Sequence, residues 1–283
     1  MRRFLAVFAV GAMTFAGLQA EETITLKLKK PGKGDVVKET KTVTEMVKVT
    51  VMGQDQNQES VTKLVYTEEV LEKPAAAKRP TKLKRVYETA EITKNGAKED
   101  IGLAGKTVLV EKAGDGYKIT VDGQEPAVLA AIVLKKEFRK EKEVTDEHFL
   151  PKTPVKVGDT WKIDMVPLAK DASGELEMDA DKSTGAGKLI KVYDKGGKKF
   201  GTIEVTLDLT VSKIGEDGGQ TVELKEGSKF NATVVMDVCI DGTATGGAAK
   251  MTVKGDFTGT TMGVELKFDL ISTTEETSEE VKK

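Results

Sequence analysis

Side chains that carry chemistry are scarce in this 283-residue chain, which holds one cysteine, Cys239, one histidine, His148, and one tryptophan, Trp161. A single thiol and a single imidazole exclude a His/Cys metal cluster, a zinc finger, an intramolecular disulfide and a redox cysteine pair. The expectation is therefore no cofactor and no metal. Aromatics make up only 5% of the residues, and hydrophobic residues at 39% are balanced by 32% charged ones. That balance suits a folded soluble protein rather than a disordered chain or a multi-span membrane protein.

Proline is also sparse, at 7 residues, whereas 28 glycines punctuate the chain. Between them lie stretches of period-2 alternation. Ile203, Val205, Leu207, Leu209 and Val211 alternate with polar residues, as do Phe230 to Ile240 and Val264 to Leu270. Such alternation predicts half-buried strands, and the Gly-rich stretches at 215–219 and 242–247 predict the turns of an antiparallel meander. Earlier, Ile24, Leu26 and Leu28 predict a short strand, Pro31 to Gly34 a turn, and Val43, Val47, Val49 and Val51 one side of a longer strand. Ala113-Gly114-Asp115-Gly116 is placed to close a hairpin between 107–112 and 117–121. Segments 61–71 and 82–92 are rich in Val, Thr and Tyr and read as strands despite an unclear period.

One segment departs from this pattern. After Pro126, the run Ala127 to Leu134 followed by a basic stretch predicts the principal helix, packing through Ala127, Ala131, Leu134 and Phe138 with Lys135, Lys136, Arg139 and Lys140 outside. The fold expected is mainly β, with antiparallel meander sheets forming a curved sheet, half-barrel or sandwich around one principal α-helix.

The N-terminus carries Arg2 and Arg3, an apolar stretch from Phe4 to Leu18, and Ala20 ahead of Glu21 and Glu22, the pattern of a cleaved signal peptide. No cysteine follows the cut, so lipid attachment there is not expected. Removing residues 1–20 leaves 42 basic against 46 acidic side chains, a net charge of −4. That field is too weak to suggest a nucleic-acid partner. The densest basic run, Lys78, Arg79, Lys82, Lys84 and Arg85, reads as a solvated linker. The organisation expected is a signal peptide over 1–20, an N-terminal β region ending in a helix over 21–145, a C-terminal antiparallel β region over 146–272, and a disordered polar tail over 273–283. Residues 171–187 also read as mobile.

Motifs for catalysis fail one by one. Asp179, Asp181 and Ser183 begin like a calcium loop, but Thr184 stands where Gly belongs and Ile190 where a bidentate Glu belongs. Gly185-Ala186-Gly187-Lys188 lacks the leading Gly of a phosphate loop. No G-x-S-x-G surrounds a serine, His148 sits among charged residues in Asp146-Glu147-His148, and Cys239 reads as a small strand residue. Asn231-Ala232-Thr233 is a sequon in form only. No catalytic, cofactor-binding or metal-ligating residue is assigned.

The most structured phrase is Leu150-Pro151-Lys152-Thr153-Pro154-Val155-Lys156-Val157-Gly158-Asp159-Thr160-Trp161. Its prolines impose extended geometry, Gly158-Asp159 turns the chain, and Trp161 is placed to anchor a core and open a strand that continues through Ile163 and Met165. This phrase resembles a segment shared by exported bacterial β-rich proteins of a domain family of unknown function, in which L-P-x-x-P-V-x-V-G-D-x-W follows a helix. The resemblance implies secretion and β architecture and brings no activity with it. The leading functional expectation is a non-catalytic exported protein, periplasmic or secreted, binding a hydrophobic small molecule in a curved sheet. The alternative is a cell-envelope structural or protein-interaction module, and a carboxylate-pair hydrolase comes third. No membrane span is expected after signal cleavage.

Overall fold

The computed structural model describes residues 23–77, 79–138, 144–172, 176–215, 221–261 and 263–281; the signal-peptide pattern, Lys78, Arg139 to Lys142 and most of the 215–219 turn lie outside them. Among the described residues thirteen strands form one sheet: β1 Val36–Val51, β2 Gln54–Glu72, β3 Lys82–Lys94, β4 Ala97–Asp100, β5 Thr107–Ala113, β6 Gly116–Val121, β7 Thr160–Lys162, β8 Leu176–Lys195, β9 Lys198–Gly215, β10 Thr221–Leu224, β11 Lys229–Cys239, β12 Gly246–Thr261 and β13 Val264–Glu280. Helices α1 Val128–Phe138 and α2 Met165–Ala172 lie between β6 and β8. The mainly antiparallel β class expected from the alternation is what the chain adopts.

Two meanders build the sheet. The first runs β1-β2-β3-β5-β6, the second β8-β9-β11-β12-β13, and they join where β13 pairs β1 from Val37↔Glu280 to Val51↔Leu266. β10 and β11 occupy successive stretches of the same slot between β9 and β12, interrupted at Gly227. The β1–β13 seam makes the sheet continuous across the division expected at residues 145 and 146.

Residues opposite one another in register share a face, so the pairings trace a single inner surface. Val43, opposite Thr62 and Thr274, belongs to it, and so do Leu64, Ala232, Val205 and Leu189 farther out on either side. Each flank of this surface is covered. On one side α1 and the loop carrying Ile101 and Leu103 bury Leu83, Tyr87, Val108 and Val110. On the other, Leu26, Val155, Ile163 and Met165 bury Leu189, Ile203 and Val205.

Several expectations need correction. The tail from residue 273 is not disordered as far as Glu280: it is the second half of β13, paired with β1 on one side and β12 on the other. Its charges meet cross-strand lysines, Glu276 on Lys41 and Glu275 on Lys250, so a polar sequence is held by two backbone ladders. Residues 176–187 belong to β8, whose alternation is broken by a bulge between Asp179 and Thr184. Ile24 to Leu28 makes only isolated bridges, Ile24 to Val155 and Lys27 to Asp241. The strand at Trp161 ends at Lys162, after which Met165 begins α2. In α1 the phase is shifted: Ala130 and Leu134 are buried, whereas Ala127 is exposed.

Candidate functional site

Arg85 is in the core, not in a solvated linker. A bulge between β2 and β3 makes Glu88 an extra residue, so Leu83, Arg85 and Tyr87 point inward before it and Ala90 and Ile92 after it. The Arg85 guanidinium, 4% exposed, lies 4.2 Å from the Tyr66 ring centre and 4.7 Å from that of Phe138. It donates to Glu68 Oε2 at 2.8 Å and, from both terminal nitrogens, to Glu137 at 2.7 and 2.9 Å. Glu137 reaches in from α1, so this bidentate pair fastens the helix to the sheet. Burial would raise the Glu137 carboxyl, but the Arg85 charge outweighs it and holds the group below its ordinary range.

Beside this anchor runs a groove of about 870 Å³ between α1 and strands β1, β2 and β3, with Thr274 of β13 on its floor. Its apolar lining is Val43 and Val47 of β1, Leu64 of β2, Ile92 of β3, and Leu129, Ile132 and Val133 of α1. α1 thus has two apolar faces. Ala130 and Leu134 enter the core, while Ile132 stands 50% exposed over the groove and Val128 is 80% exposed. Lys41, Arg79, Lys136 and Glu137 line one part of the groove and Glu45, Gln58 and Glu59 another. Lys41 pairs with Glu276 at 2.6 Å, and Arg79 donates to the Val144 carbonyl at 3.0 Å.

A smaller cavity of about 330 Å³ lies on the same side of the sheet, lined by Asp35, Glu39, Glu68, Asp146 and Glu276 with Lys29. Burial, with the charge of Glu68 adding to it, pushes the Glu39 carboxyl up to about 6, although a hydrogen bond with Ser278 acts the other way. Burial also raises Asp146. These carboxyls share the recess with apolar side chains, among them Leu28, Val37, Val70, Met236 and Val238. Among the described residues, no group of three His, Cys, Asp or Glu is arranged to hold a metal ion.

The residues weighed from sequence are spread across the molecule. His148 sits in a 3-10 turn, Asp146–Phe149, where its Nδ1 accepts from the Thr145 N–H. Cys239 is buried at the end of β11 and its thiol donates to Asp241. Asp179 Oδ1 accepts from the N–H groups of Asp181 and Lys182, which is the turn that makes the β8 bulge. Gly185 and Gly187 are the inner-face residues of β8 beneath the 161–165 segment: a Cβ on Gly187 would fall inside the Trp161 indole, and one on Gly185 would meet Met165 Sδ at 2.8 Å. Asn231 is exposed and its amide donates to Asp208. The groove itself gathers residues that sequence reading did not bring together. Its available signal was a helix apolar on more sides than one core contact can cover.

No family model matches the chain, and no curated protein does. Among solved structures, an outer membrane channel from Pseudomonas putida F1 aligns over 90% of this chain and 98% of its own at 8% identity and a TM-score of 0.24. DynF, from the dynemicin biosynthesis pathway of Micromonospora chersina, aligns over 90% and 85% at 9% identity and a TM-score of 0.19. Scores this low carry no inference about function. Among the described residues no helix is long and apolar enough to cross a membrane.

Proposed function

We propose that the protein is a non-catalytic, exported binding protein whose groove under α1 holds a hydrophobic small molecule. The observation that carries this reading is the second apolar face of α1: Ile132 stands half-exposed over a groove that Leu129 and Val133 of the helix and Val43, Val47, Leu64 and Ile92 of the sheet also line. Half-exposed apolar walls facing each other across a groove of this size are the usual lining of a ligand site. Export rests on the Arg2-Arg3 and Phe4 to Leu18 pattern.

Titration with a neutral, environment-sensitive apolar dye tests the reading. Saturable binding is expected, weakened about tenfold or more by Ile132→Asp or Val43→Asp, since each sets a charge in the apolar wall. Met46→Asp, on the outer face of β1, should leave it unchanged. Equal affinity in all variants, or no saturable binding, would favour the alternative of an envelope scaffold. A carboxylate-pair hydrolase draws support only from the Glu39 recess, and Glu39→Gln would then abolish turnover rather than alter stability alone.

A further inference from the structure

We infer that the groove takes a single-chain amphiphile with a carboxylate head group, its head against Lys136 and Arg79 and its chain along the apolar walls. This rests on the ligand-groove reading above. The groove-facing residues of α1 are Leu129, Ile132, Val133, Lys136 and Glu137, spaced at i, i+3, i+4, i+7 and i+8 along one stripe. The stripe is about 12 Å long. It is apolar over its first turn and charged over its last, so a molecule lying along it meets hydrocarbon first and charge second. On the facing wall strand β1 sets Lys41 at one end, followed by Val43, Glu45 and Val47. Lys41 and Arg79 both interact electrostatically with Glu137, which places the basic ends of the two walls together.

Charge balance at that end selects the head group. Glu276 pairs with Lys41, and Arg85 is shared between Glu137 and Glu68. Arg79 faces Asp146 and the Val144 carbonyl. Lys136 has no ion pair among the described residues. Among the described residues that ammonium is a single charge without a carboxylate partner, which suits a head group carrying one negative charge, as a carboxylate does. Toward the other end Glu45 and Glu59 stand with Lys94, itself paired with Glu99, and oppose the reversed orientation. A single chain is implied because one helix stripe forms the wall.

Calorimetric titration of the intact protein with dodecanoate, dodecanol and dodecylammonium, each below its aggregation limit, separates head-group from chain recognition. Dodecanoate is expected to bind about threefold tighter than dodecanol, the scale of one solvent-exposed ion pair. Lys136→Gln should remove that preference, and Lys136→Glu should turn it toward dodecylammonium. Lys136 is exposed, so neither variant threatens folding. Equal binding of all three by the parent protein would overturn the head-group inference and leave the groove reading standing. Preference of the parent for dodecylammonium would also overturn it. Binding of none would remove the groove reading and the inference together.

Discussion

Buried charge concentrates around Arg85, whose guanidinium is held between Glu68, Glu137 and two aromatic rings. Close to it, Glu39 is a carboxyl whose environment disfavours ionisation, with a folded value of about 6 against an ordinary 4.5. Below the unfolded value both states hold the proton and the group costs nothing. As pH rises through 4.5 to 6, ionisation stabilises the unfolded chain more than the folded one. Glu39→Gln is therefore expected to stabilise the protein by up to about 2 kcal/mol above pH 6.5 and not at pH 4, as read by urea unfolding at the two pH values. A second residue-scale test concerns Trp161, whose Nε1 donates to the Phe149 carbonyl at 2.8 Å while its ring lies over Gly187. Trp161→Ala should cost about 2 to 4 kcal/mol and Gly187→Ala about 1 to 3. The double variant should cost less than their sum, because the new methyl then occupies space the ring has left; additive costs would contradict the packing. The anchoring role of Trp161 was legible in its phrase, but Gly187, which admits the ring, and Gly185, which admits Met165, read only as a failed phosphate loop. Nothing local in Gly185 to Lys188 announces a partner some twenty-five residues earlier.

Helix α1 is the element on which the proposed function turns. Pro126 and the apolar run marked its place in the sequence, and β9, β11 and the 107–121 hairpin were equally plain from alternation and turn residues. Its phase was not plain, because a helix apolar on several sides fits a core contact in more than one rotation. Strands β3 and β8 were obscure for another reason: a bulge of one extra residue at Glu88 in β3, and of three between Asp179 and Thr184 in β8, moves the inward set to the other parity and erases the period. The Arg85–Glu137 pair, 52 residues apart, fixes α1 to the sheet at its C-terminal end. Glu137→Gln is expected to cost about 1 to 3 kcal/mol and to speed amide exchange in 130–138 while leaving exchange in β9 and β11 unchanged. Uniform acceleration across both flanks would mean that the pair supports the whole fold rather than the helix.

At the scale of the molecule, two meanders joined by the β1–β13 seam give one sheet with two covered flanks and a groove near the seam. The sequence carried the strands but not the seam, since β13 is polar from Thr273 onward and its stability comes from ladders on both sides and from lysines on β1 and β12. The groove was hidden with it: Val43, Leu64, Ile92 and Ile132 lie far apart in the chain and meet only once the seam and the helix are placed. The central claim is that this groove, and no other apolar surface, receives the ligand. Photolabelling with an alkyl chain bearing a diazirine, followed by peptide mapping, tests it most directly. The account predicts label on 129–133 of α1 and on 43–47 and 58–64 of β1 and β2, competed by unlabelled ligand. Label concentrated on the outer face or on the hairpin tip at Met52, or uncompeted label spread over the chain, would contradict it.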